Sequence, residues 1–196
     1  MVYPFISRRP VSLCPAASIP RKTCSGFRPC WHQDNRSDGV TVSVLFVCLG
    51  NICRSPTAEV VFRDRVKAAG LEDHILIDSA GTGDWHIGRA PDPRTQDAAA
   101  GRGYDMSRLR ARQVTVADFD KFDVVLAMDD ANLADLQAMQ PANSSVTLKR
   151  FLDYAAHRPE REVPDPYYGG EDGFAEVLNL VEEGAEALLE ALQERL

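Results

Sequence analysis

The sequence predicts an α/β fold: a single domain with a four-stranded parallel sheet, helices on both faces and a phosphate-binding loop after the first strand. Beyond residue 40, short apolar segments alternate with segments whose apolar residues recur every three or four positions. This is the pattern of strands alternating with helices, and it is typical of a parallel sheet covered on both faces. The loop is predicted from a cysteine–arginine motif that directly follows the first apolar segment.

The first half of the domain contains two predicted strands and one predicted helix. An apolar strand is expected at residues 43–47 and a helix at residues 56–69, where Gly70 is a common type of terminator. A second short apolar strand is expected at residues 75–77. Residues 79–93 are rich in Gly and Pro and predict a loop.

The second half continues the alternation without an internal repeat. It predicts a helix at 94–101, a strand at 123–128, a helix at 129–139, a strand at 145–148, a long loop at 159–173 and a helix at 176–196. The final helix carries apolar residues at helical spacing, so one of its faces is expected to pack on the sheet.

Residues 1–40 differ in composition from the rest of the chain. They carry six basic and two acidic side chains, a charge of +4, which leaves −11 for residues 41–196 out of a total of −7. Three interpretations stay open: an organelle transit peptide, a disordered arm, or sequence upstream of the natural start codon. The sequence thus predicts an extension at 1–40, for which the last two interpretations are favoured, and one domain at 41–196.

Composition excludes several classes of protein. The net charge of −7 argues against a general nucleic-acid-binding role, and no apolar run approaches the roughly 20 residues of a membrane span. The chain has five cysteines, an odd number that cannot all pair in disulfides. This favours a reducing compartment over a secreted protein stabilised by disulfides. We therefore predict a cytoplasmic location, with organelle targeting by residues 1–40 left open. The irregular spacing of Cys14, Cys24, Cys30 and His32 does not predict a zinc site.

The most informative segment is Cys48-Leu49-Gly50-Asn51-Ile52-Cys53-Arg54-Ser55. An apolar strand leads into it and Pro56, which suits the first turn of a helix, follows it. Backbone N–H groups of such a loop can converge on one tetrahedral oxyanion beside the positive end of the helix dipole. A cysteine in this environment is expected to be a thiolate, and the guanidinium of Arg54 can bind two phosphate oxygens at once.

Three segments together resemble the low-molecular-weight protein tyrosine phosphatases. They are the motif after the first strand, the segment 78–88 with sequence DSAGTGDWHIG, and Asp165-Pro166-Tyr167-Tyr168-Gly169. Residues 111–113 and 128–129 match weaker positions of the family, and the resemblance covers residues 41–196 in the family's order. One departure is Leu109, which stands where many members have a histidine tied to the loop asparagine.

The resemblance implies hydrolysis of phosphotyrosine in proteins through a phosphocysteine intermediate. Cys48 would be the nucleophile, Arg54 the phosphate clamp and Asp165 the general acid and base. No metal or other cofactor is implied. The residues expected to bind substrate are Leu49, Gly50, Asn51, Ile52, Cys53, Ser55, Trp85, Tyr167 and Tyr168. The implied partners are a phosphotyrosine-containing protein, with a tyrosine kinase as one candidate, and inorganic phosphate as the product.

Cys53 has two open interpretations. It can be a packing residue, or it can form a reversible disulfide with Cys48 that shields the nucleophile from over-oxidation. The resemblance favours the disulfide.

Two alternative functions compete with phosphotyrosine hydrolysis. A thiol-dependent arsenate reductase would pass a disulfide through cysteines late in the chain, and no cysteine follows Cys53. A non-catalytic phosphate-binding module would be expected to lose Cys48 or Asp165, and both are present.

We predict that Cys48→Ser abolishes hydrolysis of an aryl phosphate while binding of an oxyanion such as phosphate survives. A serine hydroxyl is a far weaker nucleophile than a thiolate, whereas the backbone N–H groups of the loop are unchanged. Steady-state hydrolysis and phosphate-binding titrations measure the two properties. Substantial turnover by this variant would remove Cys48 from the nucleophile role.

Overall fold

The computed structural model describes residues 42–167, 170–194 and 196. The predicted extension at residues 1–40 lies outside the described residues, and so does the candidate substrate-binding residue Tyr168.

Four parallel strands form one sheet, which confirms the predicted fold class. They are β1 (Val42–Cys48), β2 (Ile75–Gly81), β3 (Val124–Ala127) and β4 (Thr147–Arg150). Their order in the sheet is β2-β1-β3-β4, so β1 lies between β2 and β3. A central strand of a parallel sheet is covered on both faces, and every residue of β1 is buried.

The helices are α1 (Arg54–Ala68), α2 (Pro93–Ala100), α3 (Asp118–Lys121), α4 (Asp130–Met139) and α5 (Glu171–Gln193), with a 3₁₀ turn at Phe151–Asp153. Among the described residues, no helix is both long enough and apolar enough to span a membrane.

Alternate side chains of β1 enter two separate cores, because successive side chains of a strand point to opposite faces. Val44 and Phe46 belong to the core that contains the buried faces of α1 and α5. Leu45 and Val47 belong to a smaller core that includes residues of α3 and α4. Phe46 anchors the larger core, with edge-to-face contacts to Phe62 and Phe151 at centroid distances of 5.7 and 5.4 Å.

The largest differences from the sequence predictions concern β2, α3 and α5, while the other elements differ by one or two residues at their ends. β2 continues beyond the predicted residue 77 to Gly81, because its polar end still pairs with β1 up to the Cys48–Gly81 pair. The short helix α3 was not predicted, since four residues are too few to show a period. α5 begins at Glu171 instead of residue 176, and Phe174 in its added first turn is buried.

The end of β2 lies directly against the loop that follows β1. A Cβ atom on Gly81 would sit 2.8 Å from the carbonyl oxygen of Leu49 and 3.1 Å from the backbone nitrogen of Asn51. Only a residue without a side chain therefore fits at this position. This close approach places the loop at the carboxyl end of the central strands, where ligands bind in open α/β sheets.

We predict that Gly81→Ala lowers the free energy of unfolding by about 1–3 kcal/mol, because the added methyl group would press on backbone atoms that cannot move aside freely. Urea denaturation measures the change. Gly101→Ala is the matched control: its Cβ would lie 3.4 Å from the nearest carbonyl oxygen, an ordinary contact, and its φ is −58°. Equal stability of the two variants would show that the loop and β2 are not in tight contact.

Candidate active site

Cys48 is the last residue of β1 and its side chain is 2% exposed. Its Sγ lies 3.1 Å from the hydroxyl oxygen of Ser55 and accepts a hydrogen bond from the backbone N–H of Asn51 at 3.3 Å. The sulfur is thus placed at the start of the loop and faces the first turn of α1.

The loop is held from outside through its carbonyl groups. The carbonyl oxygens of Cys48 and Leu49 accept hydrogen bonds from the N–H groups of Thr82 and Gly83, at 2.9 and 2.8 Å, and the Ile52 carbonyl accepts from Asp92 N–H at 2.8 Å. Within the described residues, the N–H groups of Gly50, Ile52 and Cys53 have no acceptor. Free N–H groups around a helix N-terminus are the donors that an oxyanion needs.

Asn51 is the residue that fixes the turn of the loop. It is the only residue other than glycine with a positive φ among the described residues, at 54°, and it is 2% exposed. Its Nδ2 donates to the hydroxyls of Ser55 and Ser79, each at 2.9 Å, and its Oδ1 accepts from the N–H of Arg112 at 2.9 Å. All hydrogen-bonding groups of this amide except one acceptor lone pair are therefore used.

These contacts resolve the question raised by Leu109. The loop asparagine is supported without a histidine at that position, because Ser55, Ser79 and the backbone of Arg112 hold it. Leu109 is instead half-buried and packs against the larger core. The departure from the family pattern thus leaves Asn51 with three partners.

A buried carboxylate supports this arrangement from behind. Ser79 donates from its hydroxyl to Oε2 of Glu59 at 2.6 Å, and Arg63 donates to Oε1 of the same carboxylate at 2.5 Å. Glu59 is 4% exposed, and this burial raises its pKa above the ordinary value, partly offset by the bonds from Ser79 and Arg63. Ser79 gives its only proton to Glu59, so its oxygen is left to accept from Asn51.

The hydroxyl of Ser55 has one proton and two possible acceptors. Asn51 donates to this oxygen, so the Ser55 proton can go either to the carbonyl of Ala80 or to Sγ of Cys48, both at 3.1 Å. A Cys48 thiol would donate to Ser55, and Ser55 would then donate to Ala80. A Cys48 thiolate would receive the Ser55 proton instead. The hydroxyl can therefore stabilise the thiolate by rotation alone.

Arg54 is 3% exposed and lies between two carboxylates. Its Nη1 donates to Oδ2 of Asp129 and to the carbonyl of Val163, and its Nη2 donates to Oδ2 of Asp165 at 3.0 Å. Burial lowers the pKa of Arg54, but the nearby Cys48, Asp129 and Asp165 raise it by more, so the guanidinium keeps its charge. Asp129, at the start of the predicted helix 129–139, caps α4 by accepting from Asn132 N–H at 2.7 Å, and it also orients Arg54.

Asp165 is held in a turn by hydrogen bonds to both of its carboxylate oxygens. Its Oδ1 accepts from the N–H of Tyr167 at 3.1 Å while its Oδ2 accepts from Arg54. The side chain is 35% exposed at the mouth of the cleft. A carboxyl group in this position can exchange protons with water and with a bound leaving group.

The walls of the cleft are largely apolar and aromatic. The cleft has a volume of about 220 Å³ and is lined by Cys48, Leu49, Gly50, Ile52, Cys53, Arg54, Trp85, His86, Asp165 and Tyr167. Trp85 is 57% exposed and Tyr167 39% exposed, so both rings present faces to solvent at the rim. Such a wall suits a planar aromatic group.

His86 lines the cleft but is not among the substrate-binding residues predicted from the sequence. A Cβ on Gly50 would lie 2.9 Å from Cδ2 of His86, so the absence of a side chain at position 50 lets the imidazole reach the loop. Its Nδ1 is buried without a hydrogen-bond partner among the described residues. Its position next to Trp85, a predicted substrate-binding residue, is the feature of the sequence from which His86 could have been predicted as a lining residue.

Tyr167 is fixed to the rest of the cleft by Arg94 of α2. The Arg94 guanidinium lies 5.3 Å from the centre of the Tyr167 ring and 4.9 Å from that of Phe174, and its Nη1 donates to the Tyr167 carbonyl at 3.2 Å. Asp92, the cap of α2, pairs with the same guanidinium at 3.0 Å. The segment that carries Asp165 is thereby attached to α2.

Cys53 and Cys48 line the same cleft, and both are free and buried. Burial raises the pKa of the Cys53 thiol to about 12, so Cys53 is a neutral thiol at physiological pH. Cys53 also occupies the N-cap position of α1. The structure therefore leaves both interpretations of this residue open, packing and a redox partner of Cys48.

Comparison with known protein families agrees with this site. A family model described as low molecular weight phosphotyrosine protein phosphatase matches residues 43–196. The low molecular weight protein-tyrosine-phosphatase YfkJ of Bacillus subtilis is 47% identical over 152 residues, which are 78% of this chain and 96% of the relative. A low molecular weight phosphotyrosine protein phosphatase of Schizosaccharomyces pombe is 48% identical over 136 residues, 69% of this chain and 86% of the relative.

Solved structures give the same result. The crystal structure of YfkJ has a TM-score of 0.75 at 45% identity and covers 81% of this chain and 99% of its own. A structure titled as the Drosophila arginine phosphatase DARP has a TM-score of 0.72 at 30% identity and covers 76% and 96% of the two chains.

We predict that after mild peroxide treatment the yield of a Cys48–Cys53 disulfide rises steeply with pH, by up to about tenfold per unit between pH 7 and 9. Only the Cys53 thiolate attacks an oxidised Cys48, and its fraction grows with pH as long as the pH lies below the thiol pKa of about 12. Peptide mapping quantifies the disulfide and the over-oxidised Cys48. A sulfonic acid at Cys48 with Cys53 free at every pH would contradict the redox role.

Proposed function

The chain belongs to the low molecular weight phosphotyrosine protein phosphatase family, and from this premise we propose that it hydrolyses phosphotyrosine in proteins through a phosphocysteine on Cys48. The observation that carries the proposal is the convergence of Cys48, Arg54 and Asp165 on one aromatic-walled cleft. These are a nucleophile, a phosphate clamp and a proton donor.

In the first step the thiolate of Cys48 attacks phosphorus as the bond to the phenolic oxygen breaks. Negative charge on the three remaining oxygens is stabilised by the N–H groups of the loop and by the guanidinium of Arg54. Asp165 gives its proton to the departing phenolic oxygen. The products are a phosphocysteine, a tyrosine hydroxyl and an Asp165 carboxylate.

The contact between Arg54 and Asp165 supports the timing of this proton transfer. A phosphate dianion competes with the Asp165 carboxylate for Nη2 of Arg54, which is 3.0 Å from Asp165. Asp129 keeps its place on Nη1, since it is also fixed by the N-terminus of α4. An acid that loses its cation and gains an anionic neighbour favours its protonated form, so substrate binding prepares Asp165 to donate.

In the second step water attacks the phosphocysteine. Asp165, now a carboxylate, removes a proton from that water, and the bond between phosphorus and sulfur breaks. Inorganic phosphate leaves and Cys48 returns to the thiolate, which Ser55 stabilises through its rotating hydroxyl. The side chains of the cleft are sufficient for both steps.

The proposed substrates are phosphotyrosine-containing proteins, with a tyrosine kinase as one candidate. The exposed rings of Trp85 and Tyr167 support an aromatic leaving group.

We also propose a cytoplasmic location, because a site with two neighbouring thiols works only while both stay reduced. Arsenate reduction is less well supported, since no cysteine follows Cys53 to carry the disulfide onward.

We predict that kcat/KM for a phosphotyrosine peptide is at least about 100-fold higher than kcat/KM for the matched phosphoarginine peptide. A similar structure is named an arginine phosphatase, but carboxylates in a pocket wall favour a guanidinium, and Asp165 is the only carboxylate among the described lining residues. Phosphate release from the two peptides measures the ratio. A ratio near or below one would overturn the proposed substrate class.

We predict that Asp165→Asn slows aryl phosphates with basic leaving groups far more than activated ones. Tyrosine phenolate has a conjugate acid with a pKa near 10, so its departure at pH 7 depends on proton donation, which typically contributes about 10²–10⁴-fold. The measurement is log kcat/KM plotted against leaving-group pKa for both enzymes. The wild type should be nearly flat and the variant steeply negative.

Parallel lines for the two enzymes would mean that Asp165 only stabilises the conformation of its turn and does not donate the proton. Asp153→Asn serves as the control for loss of a carboxylate, because Asp153 pairs with Arg150 after β4 and is not a lining residue of the cleft.

A further inference from the structure

Most arginines in the described part of the chain are paired with a carboxylate. The arginines that form ion pairs are Arg54, Arg63, Arg65, Arg94, Arg102, Arg112, Arg150 and Arg158. Four described arginines have no such pair: Arg89, Arg108, Arg110 and Arg161. Three of these four lie on two adjacent segments, residues 86–89 and 107–112.

Backbone hydrogen bonds join the two segments side by side. Gly88 N–H donates to the Ala111 carbonyl and Ala111 N–H donates to the Arg89 carbonyl, both at 2.8 Å. Arg89 N–H also donates to the carbonyl of His86 at 2.9 Å, and His86 lines the cleft. The backbone of Arg89 is thus fixed beside the pocket while its guanidinium remains exposed and without a carboxylate partner.

The second segment is attached to the catalytic loop itself. Arg112 N–H donates to Asn51 at 2.9 Å, and the Arg112 carbonyl accepts from Gly81 at 2.8 Å. Arg110 stands two residues earlier and is exposed. Its Nη1 donates only to the backbone carbonyls of Ser107 and Leu109, at 2.9 and 2.6 Å.

The carboxylates near these segments form no ion pair with Arg89 or Arg110 in the described part of the chain. Hydrogen bonds from Ser107, one of them from its N–H at 2.9 Å, hold the pKa of Asp105 below its ordinary value, with a smaller contribution from the charge of Arg108. Asp84 makes no ion pair with a described residue. Arg89 and Arg110 therefore form a local positive patch on a chain whose net charge is −7.

An apolar side chain lies in the same turn as Arg89. Ile87 is 57% exposed, as much as Trp85. Ile87 follows the cleft-lining His86 in the chain, so an apolar group of a bound substrate can contact it. The rim on this side of the cleft thus offers one apolar contact and two cations to whatever extends from the pocket.

We propose that this rim, formed by Ile87, Arg89 and Arg110, recognises acidic residues next to the phosphotyrosine of a protein substrate. The inference rests on the proposed function and deepens it, because it names the sequence context that the enzyme prefers. An extended peptide advances about 3.3–3.6 Å per residue, so a carboxylate two or three positions from the phosphotyrosine lies roughly 7–10 Å from it. Arg89 is joined to the cleft-lining His86 by a backbone hydrogen bond of 2.9 Å, so its side chain starts close to the pocket.

The preference is expected to be modest and sensitive to salt. An exposed ion pair changes an equilibrium by roughly 1.4- to 5-fold, so two arginines together give about fivefold. At about 1 M salt the Debye length is about 3 Å, and the preference should fall to about one.

The test uses three phosphotyrosine peptides: one with three Asp residues before the phosphotyrosine, one with three after it, and one with Asn at all six positions. kcat/KM is measured at low ionic strength and at about 1 M salt, with p-nitrophenyl phosphate as the reference substrate. The enzymes are the wild type, Arg89→Gln, the double variant Arg89→Gln/Arg110→Gln, and Lys67→Gln. Lys67 is an exposed cation in the last turn of α1, at the opposite end of the helix from the cleft.

We expect the wild type to prefer one acidic peptide over the Asn peptide by about fivefold at low salt. Arg89→Gln should lower this ratio, the double variant should bring it below about twofold, and Lys67→Gln should leave it unchanged. A wild-type ratio near one, a ratio that survives in the double variant, or an equal loss with p-nitrophenyl phosphate would overturn the proposal. Failure of the proposed function is distinct, because then none of the phosphotyrosine peptides would be hydrolysed.

Discussion

The geometry of the site depends on the hydrogen bonds that hold Asn51 in a left-handed backbone conformation. A positive φ is sterically costly for a residue with a side chain, and here the amide of Asn51 offsets the cost through bonds to Ser55, Ser79 and the backbone of Arg112. The turn at Asn51 directs its own N–H to Cys48 and leaves neighbouring N–H groups free. One side chain thus connects the first turn of α1, β2 and the segment at 107–112 to the anion-binding loop.

The charges of the site are arranged around a single buried cation. Arg54 contacts Asp129, which is fixed as the cap of α4, and Asp165, which lies in an exposed turn. Its two carboxylate partners therefore differ in how easily they can be displaced. The proposed mechanism uses this difference: Asp129 keeps the guanidinium oriented, and Asp165 gives up its place to the phosphate and becomes the proton donor.

The sequence predicted the parts of the molecule that are contiguous along the chain. The alternation of apolar segments was sufficient for the fold class, and the eight residues from Cys48 to Ser55 were sufficient to locate the loop. Glu59, Ser79 and Asp129 could not be assigned in the same way. Each is an ordinary polar residue of a helix, a strand or a helix cap until the fold brings Ser79 to Asn51, Glu59 to Ser79 and Asp129 to Arg54. These partners are 28, 20 and 75 positions apart in the chain. Element boundaries were missed where polar residues continue a strand, as at the end of β2.

The claim that links fold, site and chemistry is that phosphate is transferred to the sulfur of Cys48. It is tested most directly by rapid acid quenching of Asp165→Asn during turnover of an activated aryl phosphate, followed by mass spectrometry of the peptides. Loss of the base slows hydrolysis of the intermediate, while the activated leaving group departs without help from an acid. The account predicts a phosphoryl group on the peptide that contains Cys48, absent from the Asp165→Asn/Cys48→Ser double variant. A phosphoryl group on any other side chain, or turnover with water attacking the substrate directly and no adduct, would contradict it.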